Sequence, residues 1–254
     1  MDLTSILGPV VGIGLILLGQ IMEGGDPTKL IQVTAFLIVI GGSLGAVIMS
    51  FPLPTLKLAI EMVKDVYFNL NVDMDSTISE ILKFAQKARK EGIIALEKDA
   101  KNASDPLLTM GLEAVSDGSD PVLVQSMMEN QLARLEEKVA GGSKVWESFG
   151  GYTPTLGIVG AVLGLIHVME NLNDPSKLGS GIAVAFVATI YGLIAANIFF
   201  IPFSSKIKFK YQQMFLKKEI IIEGVLSIQA GESPALIERK LQAFLLETKK
   251  AEEK

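Results

Sequence analysis

Four long apolar stretches constrain this chain more than any other feature of its sequence. They run from about Leu3 to Met22, Leu30 to Ser50, Tyr152 to Met169 and Gly181 to Phe203, and none contains an Asp, Glu, Lys or Arg. An α-helix rises about 1.5 Å per residue, so about 20 apolar residues cross a hydrocarbon core roughly 30 Å thick. We therefore predict an all-α, polytopic membrane protein with four transmembrane helices and a helical cytoplasmic domain.

The positions of the basic residues predict the orientation of these spans. Basic residues follow the second and fourth stretches, namely Lys57, Lys64, Lys83, Lys87, Arg89 and Lys90, then Lys206, Lys208, Lys210, Lys217 and Lys218. Such residues near span ends mark the cytoplasmic side of the inner membrane. We predict that both termini are cytoplasmic and that the short turns at 23–29 and 170–177 are periplasmic. No Lys or Arg precedes the first stretch, so we expect it to be retained and not cleaved as a signal peptide.

The polar parts of the sequence read as helices, and strand alternation is not evident. The predicted domains are 1–50 with the first two spans, 51–147 as a cytoplasmic helical domain, 148–203 with the last two spans, and 204–254 as cytoplasmic C-terminal helices. Asp75 or Ser76 is expected to cap a helix with apolar residues on one face, and Gly92 to end it. Further boundaries are predicted at Asp105-Pro106, Asp117-Gly118, Asp120-Pro121 and 231–234.

Composition excludes several classes of function. The formal net charge of -5 argues against nucleic acid as a partner, because phosphate neutralisation needs clustered Lys and Arg. With no Cys and one His, a Cys-ligated metal, a thiol nucleophile and a His-rich metal site are excluded. We predict no enzyme activity and no cofactor. Ion pumps generally place an Asp or Glu inside a span, so a chain without one that uses an ion gradient needs a partner to supply the carboxylate.

Small residues recur at helix-packing spacing in two of the spans. The first contains Gly8-x-x-x-Gly12, and the third contains Gly160-x-x-x-Gly164 with Gly157 on nearly the same stripe. Such stripes let helix backbones approach closely in lipid. Two interpretations stay open: packing within one subunit, or a smooth wall against which a partner helix moves.

Two polar residues of the spans also have alternative interpretations. The hydroxyl of Thr189 either bonds back to its own helix or lines an ion path. His167 near the end of the third span suits an interfacial residue better than a proton relay.

Four segments carry motifs whose order covers nearly the whole chain. They are Ala88–Glu97, with a basic pair, Gly and an Ala-Leu-Glu ending, then Pro154–Leu165, Ala183–Pro202 and Glu223–Pro234. In this order they resemble the MotA/PomA family of flagellar motor stator subunits, within the MotA/TolQ/ExbB proton channel superfamily.

The resemblance implies how such a subunit works. It implies an ion-conducting complex at the flagellar basal body, with five copies in a ring around two copies of a single-span partner of the MotB/PomB type. That partner carries the ion-binding Asp, which fits the missing carboxylate here. Ion flow would turn the ring, and its cytoplasmic heads would push FliG of the rotor.

The resemblance also assigns expected roles to individual residues. Rotor contact is expected of Arg89, Lys90, Glu97, Lys206 and Lys218, although a solvated helix face is the plain alternative for such charges. The ion path or partner-facing wall is expected to include Thr189, Ala188, Thr155, Gly157 and Ile158. Pro154 and Pro202 are expected to act as hinges, because a proline removes a helix hydrogen bond and permits a kink.

The transported ion and the competing functions are less constrained. Sodium-driven members of the family typically carry a second Thr where this chain has Ala188, and PomA-like chains an Asp where it has Gln32. Protons are therefore favoured over sodium. An ExbB/TolQ-type energiser of an outer-membrane process is the main alternative, and a self-contained channel or carrier is a further one.

Overall fold

The computed structural model describes residues 2–70 and 72–252, and within them every regular element is helical. The helices are α1 (Leu3–Met22), α2 (Val33–Phe36), α3 (Gly42–Ser50), α4 (Leu53–Tyr67), α5 (Met74–Glu91), α6 (Glu97–Ala100), α7 (Pro106–Ser116), α8 (Pro121–Glu170), α9 (Pro175–Ile194), α10 (Ile201–Gln229) and α11 (Pro234–Glu252). Short 3-10 turns cover Pro27–Leu30 and Ile93–Leu96, and π turns cover Leu37–Gly41 and Ala195–Phe200. The all-α prediction is confirmed.

Four helical stretches are long and apolar enough to cross a membrane, as predicted. They are Leu3–Met22, Pro27–Ser50, and parts of Pro121–Glu170 and Leu178–Gln229. The first coincides with the predicted span. Helix continues into polar sequence at the start of the third stretch, near Tyr152, and at the end of the fourth, near Phe203. The 50-residue helix α8 even continues through Pro154.

The residues group into two compact units. The membrane unit comprises 1–69 and 138–210, and the extramembrane unit comprises 70–137 and 211–254. Residues 51–69 and 138–147, which the sequence analysis placed in the cytoplasmic domain, group with the membrane unit.

Glycines bring α8 and α9 together in the membrane unit. A Cβ at Gly160 would lie 2.5 Å from the Cβ of Ala188, and one at Gly164 would lie 2.7 Å from the Ala185 nitrogen and the Gly181 oxygen. Nothing lies within 4 Å of a Cβ at Gly8. The stripe on the third span therefore packs inside this chain, which is the first of its two interpretations.

Polar contacts hold the start of α1 to the end of α4. The Asp2 amide donates to the Tyr67 carbonyl at 2.7 Å, and the Asp2 carboxylate pairs with Lys206 and Lys210, each at 3.0 Å. The hydroxyl of Thr4, followed by the two lysines, holds the pKa of Asp2 well below its usual range. Asp2 therefore stays ionised and the contact stays charged at any physiological pH.

A single apolar core organises the extramembrane unit. Its fully buried side chains come from six helices and one turn, and include Ile81, Leu96, Ala100, Leu108, Leu112, Met128, Ile220, Ile221, Ile237 and Leu241. The predicted boundaries at Gly92, Asp105-Pro106, Asp117-Gly118 and Asp120-Pro121 are confirmed. The predicted cap of α5 was wrong: Asp73, and not Asp75 or Ser76, precedes the helix and accepts from the Ser76 amide.

Candidate functional site

The hydroxyl of Thr189 bonds to its own helix. Its Oγ1 donates to the Ala185 carbonyl at 3.2 Å, and the side chain is partly exposed on α9. This contact is the back-bonding alternative from the sequence. The oxygen keeps lone pairs that can accept a hydrogen bond or contact a cation, because a hydroxyl can donate and accept at once.

The other residues expected at the ion path separate into two sets. Ala188 and Gly157 are buried, and a Cβ at Gly157 would lie 3.0 Å from the Ala188 carbonyl oxygen. Thr155 and Ile158 are exposed on α8, and the Thr155 hydroxyl donates to the Tyr152 carbonyl at 2.7 Å. The buried pair joins α8 to α9 and turns no atom outward, so only the exposed pair offers a surface to a partner.

Pro154 is accommodated in α8 by a threonine that the sequence analysis did not single out. A proline at position 154 deprives the Gly150 carbonyl of its usual helical donor. The hydroxyl of the buried Thr153 donates to that carbonyl at 3.4 Å. On α9, a Cβ at Gly192 would lie 2.6 Å from the backbone carbonyl oxygen of Thr153 and 3.1 Å from the Pro154 Cα.

Pro202 lies two residues after the last residue of the π turn at Ala195–Phe200. The π turn re-registers the hydrogen bonds of the fourth span where the proline ring would otherwise clash with the carbonyl four residues earlier. Next to it, the rings of Phe149 and Phe200 stack with centroids 4.0 Å apart. Both expected hinges thus lie where the regular helical bonding is interrupted.

Tyr191 closes a break in the second span, and the sequence analysis gave it no such role. Residues Ile31 and Gln32 are extended between the turn Pro27–Leu30 and α2. The Tyr191 hydroxyl donates to the Leu30 carbonyl at 2.7 Å and accepts from the Gln32 amide at 3.2 Å. One phenol therefore satisfies both backbone groups that the break leaves open.

We expect Tyr191→Phe to destabilise the membrane unit by about 1–3 kcal/mol, because it leaves a backbone donor and an acceptor without hydrogen-bond partners at the edge of the apolar layer. The measurement is thermal unfolding in detergent, with membrane amounts by immunoblot. Tyr152→Phe is the matched control, since the one hydrogen bond described for its hydroxyl is to the exposed Ser50 hydroxyl, 3.0 Å away. Equal melting temperatures for the two variants would contradict the role given to Tyr191.

Three of the expected rotor-contacting residues lie on one exposed turn of the extramembrane unit. Arg89 and Lys90 lie in the last turn of α5, Glu97 begins α6, and all three are exposed. Among the side chains that the structure describes, none forms an ion pair or hydrogen bond with them. Beneath them, Lys87 pairs with Asp99, whose hydrogen bond raises the pKa of Lys87 above its ordinary value. The three charges are therefore available to a partner.

Lys206 and Lys218 are engaged within the chain instead. Lys206 donates to Asp2 and Thr4, whereas Lys218 donates to both oxygens of Asp105 at 2.7 and 2.8 Å. Asp105 is only 6% exposed and also accepts from the Leu107 amide at the start of α7. The structure thus gives both lysines an internal electrostatic role.

The described residues hold no cluster of side chains suited to a resident metal. Within the described ranges, 2–70 and 72–252, no three His, Cys, Asp or Glu residues cluster as metal ligands. The geometry leaves a partly exposed hydroxyl at Thr189 and three exposed charged side chains, Arg89, Lys90 and Glu97, beside the turn between α5 and α6.

Known proteins match this chain over nearly its whole length. The sequence profile of the MotA/TolQ/ExbB proton channel family matches residues 99–220. Motility protein A of Helicobacter pylori is 34% identical over 96% of this chain and 95% of its own length. The structure of Campylobacter jejuni MotAB superposes with a TM-score of 0.90 at 32% identity, covering 96% of both chains. The flagellar MotAB stator complex from Bacillus subtilis gives 0.87 at 32% identity, covering 99% of both.

Proposed function

This chain belongs to the MotA/TolQ/ExbB proton channel family as a relative of motility protein A, and we propose that it converts an ion-motive force into torque as a stator subunit of the flagellar motor. The observation that carries the proposal is a four-span membrane unit without an acidic residue in its apolar stretches, similar from end to end to the chains of MotAB stator complexes. The family consists of proton channels and stator subunits and is not an enzyme family. An ExbB/TolQ-type energiser is less supported, because the relatives that match over nearly their full length include motility protein A of Helicobacter pylori and of Aquifex aeolicus.

The missing carboxylate defines the partner. Ion transfer through a membrane needs a group that binds and releases the ion, and an intramembrane Asp or Glu is the usual one. We propose that a single-span MotB-type subunit supplies this Asp and that five copies of the chain surround two copies of it. Thr189 would face the Asp, with the exposed Thr155 and Ile158 on the same wall.

The basic residues support one orientation of the complex in the membrane. We propose that both termini and the extramembrane unit are cytoplasmic, that the two short turns are periplasmic, and that the complex lies in the inner membrane around the basal body. Arg89, Lys90 and Glu97 would then contact FliG of the rotor. Pro154 and Pro202 would transmit changes at the ion site to that surface, since both interrupt helical bonding.

Protons are the proposed ion. Sodium needs several oxygen ligands, whereas a proton needs only the partner's carboxylate. Ala188, where a second hydroxyl would be placed, is fully buried against Gly160 and carries no oxygen on its side chain. Of positions 188 and 189, only Thr189 has a side-chain oxygen.

The decisive experiment deletes the gene from a motile host and follows swimming, with filaments checked by microscopy. Cells that keep filaments but do not swim would establish the stator role. Varying sodium and adding a protonophore in the parent strain then separates protons from sodium. Normal swimming after deletion, in a host without a second stator set, would overturn the proposal in favour of the energiser.

We expect Arg89→Glu to lower motor torque about tenfold while the chain stays at its normal level in the membrane, because a reversed charge opposes the partner surface. The measurement is the rotation of tethered cells or beads, with immunoblots of membrane fractions. Arg134→Glu is the matched control, since Arg134 is also exposed in the extramembrane unit but on α8. Loss of Arg89→Glu protein from the membrane would instead indicate a structural role for Arg89.

A further inference from the structure

We propose that Ile94 is the apolar anchor of the rotor-contacting surface, and that it fits a recess on the partner flanked by acidic and basic side chains. The inference rests on the proposed function and adds the chemistry by which the partner is recognised. The turn between α5 and α6 exposes a large apolar side chain. Ile94 is 76% exposed there, whereas its neighbours Ile93 and Leu96 pack into the core.

The backbone of the turn places Ile94 and Glu97 on the same side. Gly92 ends α5 with a φ of +87°, a conformation that favours glycine, and the 3-10 turn Ile93–Leu96 follows. In a 3-10 turn, side chains three residues apart align. Ile93 and Leu96 form the inward pair, so Ile94 and Glu97 form the outward pair.

The turn is held rigidly from below. Leu96 is completely buried in the core of the extramembrane unit. The Lys87 ammonium of α5 pairs with the Asp99 carboxylate of α6 across the base of the turn. A preorganised loop loses little entropy on binding, so an exposed side chain on it contributes more to a contact than the same side chain on a mobile loop.

The charges around Ile94 define its partner. Arg89 and Lys90 precede the turn, Glu97 closes it, and none has a side-chain partner among the described residues. An apolar anchor ringed by charges is the arrangement of an interface hot spot, in which the anchor supplies affinity and the charges supply orientation. The complementary surface is therefore a protein face with an apolar recess between acidic side chains, opposite the basic pair, and a basic side chain opposite Glu97.

The first test shortens the anchor in the full-length chain, expressed with its partner in a motile host. We expect Ile94→Ala to reduce the residence time of fluorescently tagged stators at the motor about tenfold, and Ile94→Val to retain most of it. Val122→Ala is the matched control, because Val122 is 74% exposed in the same unit on α8. Immunoblots confirm equal membrane amounts.

A second test uses the absence of cysteine from the chain. In cells carrying Ile94→Cys, a membrane-permeant maleimide with a bulky group labels this chain at one position only. We expect labelling to stop rotation, whereas labelling of Val122→Cys should leave rotation unchanged. This test needs no assumption about the stability of a truncated side chain.

The outcomes separate the anchor from the proposed function. Loss of torque in Arg89→Glu together with unchanged residence in Ile94→Ala would overturn the anchor alone. Full torque in both variants would overturn the rotor contact at this turn as well. Equal losses at Ile94 and Val122 would show a general effect of surface hydrophobicity and would also overturn the anchor.

Discussion

Gly164→Ala is expected to lower the amount of the chain in the membrane severalfold and its melting temperature in detergent by roughly 5–10 °C. The added Cβ would lie 2.7 Å from two backbone atoms of α9, the Ala185 nitrogen and the Gly181 oxygen. Backbone atoms cannot rotate away as a side chain can, so the two helices must separate. In lipid, close packing of this kind is the main attraction between helices, so separation forfeits much of the association free energy.

Gly14→Ala is the matched control, for which the opposite effect is expected. Nothing lies within 4 Å of a Cβ at Gly14 in α1, and alanine favours a helix over glycine by about 1 kcal/mol. That variant should therefore match the parent chain in amount or exceed it. If Gly164→Ala also behaved like the parent, the stripe would not be a packing contact, and its interpretation as a wall for a moving partner helix would regain support.

Asp105→Ala is expected to lower the opening free energy of α7 by about 3 kcal/mol, measured by hydrogen exchange of the full-length chain. The carboxylate both caps α7 and pairs with Lys218, and removing one member of a buried ion pair leaves the other charge uncompensated. Asp73→Ala is the matched control, because Asp73 caps α5 through the Ser76 amide and no described ion pair involves it. Only about 1 kcal/mol should be lost there.

The ion pair between Asp105 and Lys218 also allows a test of whether Lys218 acts within the chain. If its role is internal, Lys218→Ala should reduce motility in proportion to the loss of α7 protection, and Arg89→Ala should reduce motility without any loss of protection. Comparable losses of protection in Asp105→Ala and Asp73→Ala would show that the ion pair adds little and would return Lys218 to the set of rotor-contacting charges.

Features governed by local rules could be predicted from the sequence. The length of an apolar stretch determines whether it can cross a membrane, and the predicted first span has the bounds of α1, Leu3–Met22. Glycine and Asp-Pro pairs likewise marked the ends of α5 and the starts of α7 and α8. The cap of α5 was misplaced because Asp73, Asp75 and Ser76 are all good caps within four residues, and only the extended backbone at Asp73 selects among them.

Features that join distant parts of the chain could not be predicted. Nothing near Lys218 in the sequence points to Asp105, which is 113 residues away. The partner of the glycine stripe on α8 was also invisible, since a stripe shows that something packs closely but not what. Of the candidate site, the exposed turn could be predicted from its motif, whereas the burial of Ala188 and Gly157 emerged only from the contact between two helices.

The hydrogen bonds of Tyr191 also constrain how the chain is made. The Leu30 carbonyl belongs to the second span, but its partner lies 161 residues later, in the last span. A ribosome synthesises the chain from the N-terminus, so this part of the second span is made before its phenol exists. Water must serve these backbone groups until then. The membrane unit therefore reaches its final hydrogen bonding only at the end of insertion. In a nascent chain released before Tyr191 is synthesised, water remains bound to these backbone groups.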